Sequence, residues 1–233
     1  MGTTKLWHER FGHIGHAVLK EMHKHGMVAH LPAVAEMKEP CEACMLGKQQ
    51  RKAFSPESTN RAKVPLELVH ADLCGKMPTQ ALGGSSYFML LVDDFSRKMW
   101  VYFLHDKAQA FGKFKEWLQL VENEIGNRLK KFRKDGGGEL ISNEFDDFCK
   151  GKGIKRQLTT AHTPQQNGVA ERRNRTIMEM ARCMLKGKGL PNQFWAEAVN
   201  TAVYILNRSY TKALKGQTPH EAYSGKKPSV SHF

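Results

Sequence analysis

A chain of 233 residues has room for one large domain, or for a medium domain with a small module attached. Hydrophobic residues at 40% and charged residues at 25% fit an ordinary globular protein, and no apolar run approaches the length that spans a bilayer. The formal net charge of +13, with an isoelectric point near 9.6, favours a polyanionic partner: nucleic acid or an acidic membrane surface.

The opening MGTTKLWHER has no apolar signal-peptide core, and Leu6 stands where a myristoylation motif takes Ser or Thr. Residues 1 to about 50 hold six of the eleven histidines and the pair Cys41-x-x-Cys44. The other three of the five cysteines are scattered, so there is no disulfide framework, and the pattern suggests a reducing compartment. Four residues separate His8 from His13, two separate Cys41 from Cys44, and twenty-seven separate the pairs. Two imidazoles and two thiolates in close pairs joined by a long loop suit tetrahedral zinc. His16, His23, His25 and His30 read as surface residues. A fifty-residue segment has too little core to fold unaided, so the metal is expected to supply much of its stability, ~10 kcal/mol in zinc-finger peptides.

Residues 51–64 are polar and basic and read as a linker. From Pro65 the pattern changes. LELVHADLCG (66–75) alternates and stops at a glycine. YFMLLVDDF (87–95) is a continuous apolar run, as in a strand buried on both faces, and MWVYFLH (99–105) follows after a short turn as its hairpin partner. Asp106 to Ile125 carries apolar residues at helical spacing: Ala110, Phe111, Phe114, Trp117, Leu118, Val121 and Ile125. NRLKKFRKD (127–135) predicts a strand running into three glycines, Asn143 to Lys150 a short helix, and GIKRQLTTA a further strand. Residues 169–187 predict a helix ended by Gly187 and Gly189. Pro191 opens another, with Phe194, Trp195, Ala198, Val199, Ala202, Val203 and Leu206 on its apolar face. Strands with interleaved helices predict a mixed α/β sheet flanked by helices.

Three acids stand out by context. Asp72 lies in an apolar strand, where burial is costly unless it is paired or metal-bound. Asp135 ends a strand against Gly136, Gly137 and Gly138, which allow a sharp turn and close approach of a ligand. Glu171 starts a helix and is crowded by Arg172, Arg173 and Arg175. Three carboxylates at one end of a sheet would suit two Mg²⁺ ions, which prefer oxygen ligands. Asp93 and Asp94 read instead as the polar end of a buried strand, and Glu139, Asp146 and Asp147 as surface or helix-start acids. From Glu171 to Pro228 there are eleven Lys and Arg against four acids, but from Met1 to Ala62 nine against six. The C-terminal quarter is thus the expected nucleic-acid face.

LWHERFGH…CEAC followed by Asp72, Asp135 and Glu171 resembles the integrase of copia-type LTR retrotransposons. Thirty-five residues separate Asp135 from Glu171, as in the family's D,D(35)E signature. VDDFSRKMWVYFL, TPQQNGVAERRNRT and FWAEAVNTAVYILNRS are similar to blocks of its plant subgroup. Gly136, Lys134 and His162 depart from the family, which carries Asn, a small polar residue and Tyr there. The resemblance implies an HHCC zinc-binding pre-integrase module over 1–50, the linker over 51–64, and a catalytic core of RNase H-like fold with a five-stranded mixed sheet over 65–212. Residues 213–233 would be the C-terminal extension of a truncated polyprotein. It further implies a polynucleotidyl transferase that inserts element DNA ends into target DNA, with Asp72, Asp135 and Glu171 holding Mg²⁺ or Mn²⁺ and His8, His13, Cys41 and Cys44 holding Zn²⁺. Arg172, Arg173 and Arg175, with Gln165, Gln166 and Asn167 of the approach loop, would touch DNA. The expected partners are element-end DNA, target DNA and further copies of the chain. The expected location is the nucleus, reached by way of a cytoplasmic virus-like particle. The rival reading is an inactive zinc-containing module for DNA binding and oligomerisation.

Overall fold

The computed structural model describes residues 3–35, 40–47, 61–134, 142–158 and 168–233. They fall into two compact units, Phe54–Asn174 and a discontinuous one made of Met1–Ala53 with Arg175–Phe233. The second unit therefore joins the predicted zinc module to the chain's last helices, a grouping that sequence ranges alone do not suggest.

The first unit is built on a five-stranded sheet. β1 (Leu68–Cys74), β2 (Tyr87–Asp93) and β3 (Met99–Leu104) are antiparallel neighbours, and β4 (Lys131–Lys134) and β5 (Lys155–Leu158) continue the sheet in parallel, in the order β3-β2-β1-β4-β5. The mixed sheet is as expected. The strand expected over 127–135 begins only at Lys131, and Asp135 lies outside the described residues, as do Gly136 to Gly138, Glu139 and most of the linker.

Two helices cover one face of the sheet. α4 (Ala110–Ile125) follows a short 3₁₀ turn in which Asp106 accepts a hydrogen bond from the Ala108 amide, and it ends at Gly126 in the left-handed region. α5 (Asn143–Lys152) is capped by Ser142 and Gly153. Predicted apolar positions of α4, among them Phe114, Trp117 and Val121, are fully buried against Val69, Ala71 and Phe132. Phe114 packs edge-on or tilted against Trp117, Phe132 and Phe145, with ring centroids 4.7–5.5 Å apart, an arrangement that aromatic quadrupoles favour.

Side chains alternate along a strand, so the opposite face carries His70 and Asp72 of β1, with Arg133 of β4 beside His70 in the register. α6 (Gly168–Gly187) starts in this unit. Asp93 and Asp94, expected as a polar strand end, are buried and organise the β2–β3 turn. Asp93 accepts from the Leu66 amide and from both the amide and the hydroxyl of Ser96. Asp94 accepts from the Ala62 amide, from His70 Nε2 at 3.0 Å and from Arg97 at 3.1 Å. Arg61 and Ala62, predicted as linker, are thereby tied to the sheet, Arg61 also donating to the carbonyl of Phe95.

The second unit holds α1 (Thr3–Arg10), α2 (His16–Lys24), α3 (Glu42–Gly47), the rest of α6, α7 (Trp195–Asn207) and α8 (Pro219–Ser224). α7 buries its predicted apolar face and also Ala196 and Ile205, and only Phe194, just before it, stays half-exposed. Residues after 212 are packed rather than trailing: Thr218, Tyr223 and Val230 are buried, and Ser229 bridges to Ala29. Among the described residues no helix is long and apolar enough to cross a membrane.

Candidate functional site

The first candidate site lies on the sheet face opposite α4 and α5, where His70 and Asp72 stand beside the buried Val92 and Leu90 of β2. Asp72 is half-buried in the central strand β1, next but one to His70. Asn174 of α6 donates from Nδ2 to Asp72 Oδ2 at 2.6 Å, the short distance of a charge-assisted bond. Asn174 is itself buried, and its Oδ1 has no hydrogen-bond partner. Glu171, half-buried, precedes Asn174 by three residues on the same helix, and residues at that spacing share a face. Asn174 thus joins α6 to the strand that carries Asp72, and Glu171 lies one turn earlier on the same side of the helix. Oxygen donors of this kind suit a hard divalent cation.

Asn174 is a functional candidate that the sequence reading missed. The only local signal is an Asn one turn after a helix-start Glu, which is common on any helix.

The arginines of α6 divide. Arg172 and Arg175 are exposed, whereas Arg173 is half-buried. Burial, with the charges of Arg97 and Arg172 nearby, brings its guanidinium down to about 10. Burial works against charge on Asp94, but the His70 hydrogen bond and Arg97 prevail and hold the carboxyl at about 2. His70 is pushed below its usual range by burial, so it stands neutral and donates from Nε2. Gln165, Gln166 and Asn167 lie outside the described residues.

The second candidate site is a metal centre in the other unit. His8, His13, Cys41 and Cys44 each bring one ligand atom into a cluster within which all separations are at most 4.8 Å. His13 Nδ1 stands 3.3 Å from His8 Nε2 and 3.3 Å from Cys41 Sγ, and Cys44 Sγ stands 3.4 Å from His8 Nε2. Tetrahedral zinc with Zn–N near 2.0–2.1 Å and Zn–S near 2.3 Å sets its N and S ligand atoms about 3.3–3.8 Å apart. His8 Nδ1 contacts the Ile14 carbonyl at 2.8 Å, which places the proton there and leaves Nε2 as a lone-pair donor. The donor set and its spacing fit zinc. One expectation fails here: His16, read as a surface residue, is half-buried and stacks on the His8 ring, centroids 4.7 Å apart. Helix α2 begins at His16, directly after the turn that positions His13, and this brings its ring back over His8.

The fold and the two sites define an integrase core of RNase H-like architecture behind a His/Cys module. Residues 2–49 match the GAG-pre-integrase domain family and residues 62–164 the integrase core domain family. The chain is 43% identical over 228 residues to the retrovirus-related Pol polyprotein from transposon TNT 1-94 of Nicotiana tabacum, and 31% identical over 227 residues to that from transposon RE2 of Arabidopsis thaliana. These matches cover 98% and 97% of this chain but only 17% and 15% of those polyproteins. Among solved structures, the HTLV-2 integrase catalytic core domain in complex with magnesium is similar with a TM-score of 0.52 at 22% identity, covering 70% of this chain and 99% of that one. A simian T-cell lymphotropic virus intasome chain is similar at 0.57 and 18%, covering 95% and 74%. At such identities the likeness shows the fold. The chain belongs to the retrotransposon Pol family, of whose copia-type members it carries the GAG-pre-integrase and integrase core segments.

Proposed function

We propose that this chain inserts retrotransposon DNA ends into target DNA by phosphoryl transfer at Asp72, Asp135 and Glu171. The observation that carries the reading is the bond from Asn174 to Asp72, which ties α6, one turn after Glu171, to the central strand. The register of β1 and β4 supports the third member: Ala71 pairs with Lys134, and the next residues of the two segments are Asp72 and Asp135.

Asp72, Asp135 and Glu171 would hold Mg²⁺ or Mn²⁺, and a pair of such ions supplies activation of the nucleophile and charge neutralisation at the phosphate. The 3′-hydroxyl of an element end attacks a target phosphodiester. One P–O bond forms, one breaks, and the displaced 3′-oxygen takes up a proton, so no covalent enzyme intermediate is needed. Asn174 holds the Asp72 carboxylate in one orientation. Arg172 and Arg175, both exposed, would contact phosphates of the DNA backbone, and the half-buried Arg173 would play a supporting role. His8, His13, Cys41 and Cys44 would hold structural zinc. Element-end DNA, target DNA and further copies of the chain are the proposed partners, and the nucleus, reached by way of a virus-like particle, the proposed place of action.

The test incubates zinc-loaded protein with labelled element ends, target plasmid and Mg²⁺. Joined products that vanish in Glu171→Gln are expected. A chain that binds DNA but never joins ends would favour the rival reading of an inactive DNA-binding module.

A further inference from the structure

The metal-centre cysteines stand at the start of α3, and α3 is seated on the second half of α6. Cys183 of α6 is fully buried and donates its thiol to the carbonyl of Ala43, between the two ligand cysteines, at 3.2 Å. Gly47 closes α3 against the same thiol: a Cβ there would stand 2.3 Å from Cys183 Sγ. Gly187, at the end of α6, lies against the ligand His13, where a Cβ would meet Nε2 at 3.3 Å. Phe11 of the turn before His13 packs edge-on against Phe233 at 4.8 Å. All these contacts lie within the discontinuous unit.

A six-residue helix is far too short to persist alone, so two things hold α3: ligation through Cys41 and Cys44, and the α6 surface. The same surface has α3 as its cover. Each side therefore depends on the other, and the metal fastens the pair.

We propose that the His8–His13–Cys41–Cys44 centre governs a folding unit larger than the fifty residues around it, so that zinc occupancy controls the packing of the second half of α6 and the C-terminal segment. This rests on the zinc reading of the centre and is independent of the DNA chemistry. α3 acts as a metal-fastened cover over Cys183.

The test uses the full chain, with Zn²⁺ or a strong chelator, and maps maleimide labelling of each cysteine by peptide mass. Cys183 is expected to be protected with zinc and to react at least about tenfold faster after chelation. Cys149, buried in the other unit, serves as control and should not change. If chelation exposes Cys41 and Cys44 while Cys183 stays as slow as Cys149, the inference is overturned. A second arm leaves the ligands untouched. Gly47→Ala drives a methyl group into the thiol and should weaken zinc binding about tenfold, the scale of overpacking a tight contact. Gly47→Ala with Cys183→Ala removes the sulfur and should restore most of it. Unchanged zinc affinity in Gly47→Ala overturns the inference, whereas a chain that takes up no zinc at all overturns the metal reading beneath it.

Discussion

Changing Asn174 to Ala removes one bond to a candidate catalytic carboxylate and almost nothing else. The lost bond from Nδ2 to Asp72 is short and charge-assisted, worth about 1.5–3 kcal/mol. The same change removes the buried Oδ1 that has no partner, which relieves a desolvation cost of about 1–3 kcal/mol. The two nearly offset, so the net loss of stability should be about 1 kcal/mol or less, a shift of roughly 2–4 °C in a protein of this size. Function should respond differently. An untethered Asp72 presents its oxygens in several orientations, and the loss of such a supporting contact costs about 10–100-fold in metal affinity or activity. The assay pairs thermal unfolding across a magnesium titration with strand transfer in Mg²⁺. A rightward shift of the magnesium midpoint and slowed joining are expected, with the metal-free melting temperature little changed. An Asn174→Ala protein with the parent's magnesium midpoint and joining rate would refute the reasoning, as would one that loses several kcal/mol of stability, since Asn174 would then be a packing residue.

Glu171→Gln should abolish joining while DNA affinity, read by fluorescence anisotropy, stays within about twofold, because the amide keeps the shape but is a poor metal ligand. Arg172→Ala and Arg175→Ala should each lower the slope of log affinity against log salt by about 0.9, and Arg173→Ala by clearly less, since it is half-buried; equal slopes for all three would show that exposure does not sort them. Asp94 has its carboxyl held at about 2 against an ordinary 3.8, a depressed acid, so its contribution is full above pH 4 and fades as pH falls through that range. The shift corresponds to about 2 kcal/mol. Urea midpoints of the parent should therefore drop between pH 4 and 2 by more than those of Asp94→Asn, and parallel curves would contradict the His70–Asp94–Arg97 network. Strong chelation of zinc should lower the helical circular dichroism of the full chain, and an unchanged spectrum would exclude a structural metal.

Much of this molecule is written locally. The 3.6-residue spacing from Ala110 to Val121 places α4 on the core, and the apolar run from Tyr87 to Val92 makes an inner strand, because each pattern depends only on how side chains project from a regular backbone. The His/Cys quartet was legible for a similar reason: few residue types make zinc ligands, and their spacing is restrictive. Asp72 was marked by its apolar surroundings and Glu171 by its position at a helix start. Tertiary structure decided what lies far apart in sequence. Asn174 meets Asp72 across 102 positions, and Cys183 meets Ala43 across 140. His16 was misjudged because ring stacking over His8 depends on the turn between α1 and α2, and neither Gly47 nor Gly187 hinted at a close approach. An Asn or a Gly costs little in any helix, so its presence carries no message until folding brings a particular carboxylate, thiol or ring within bonding distance.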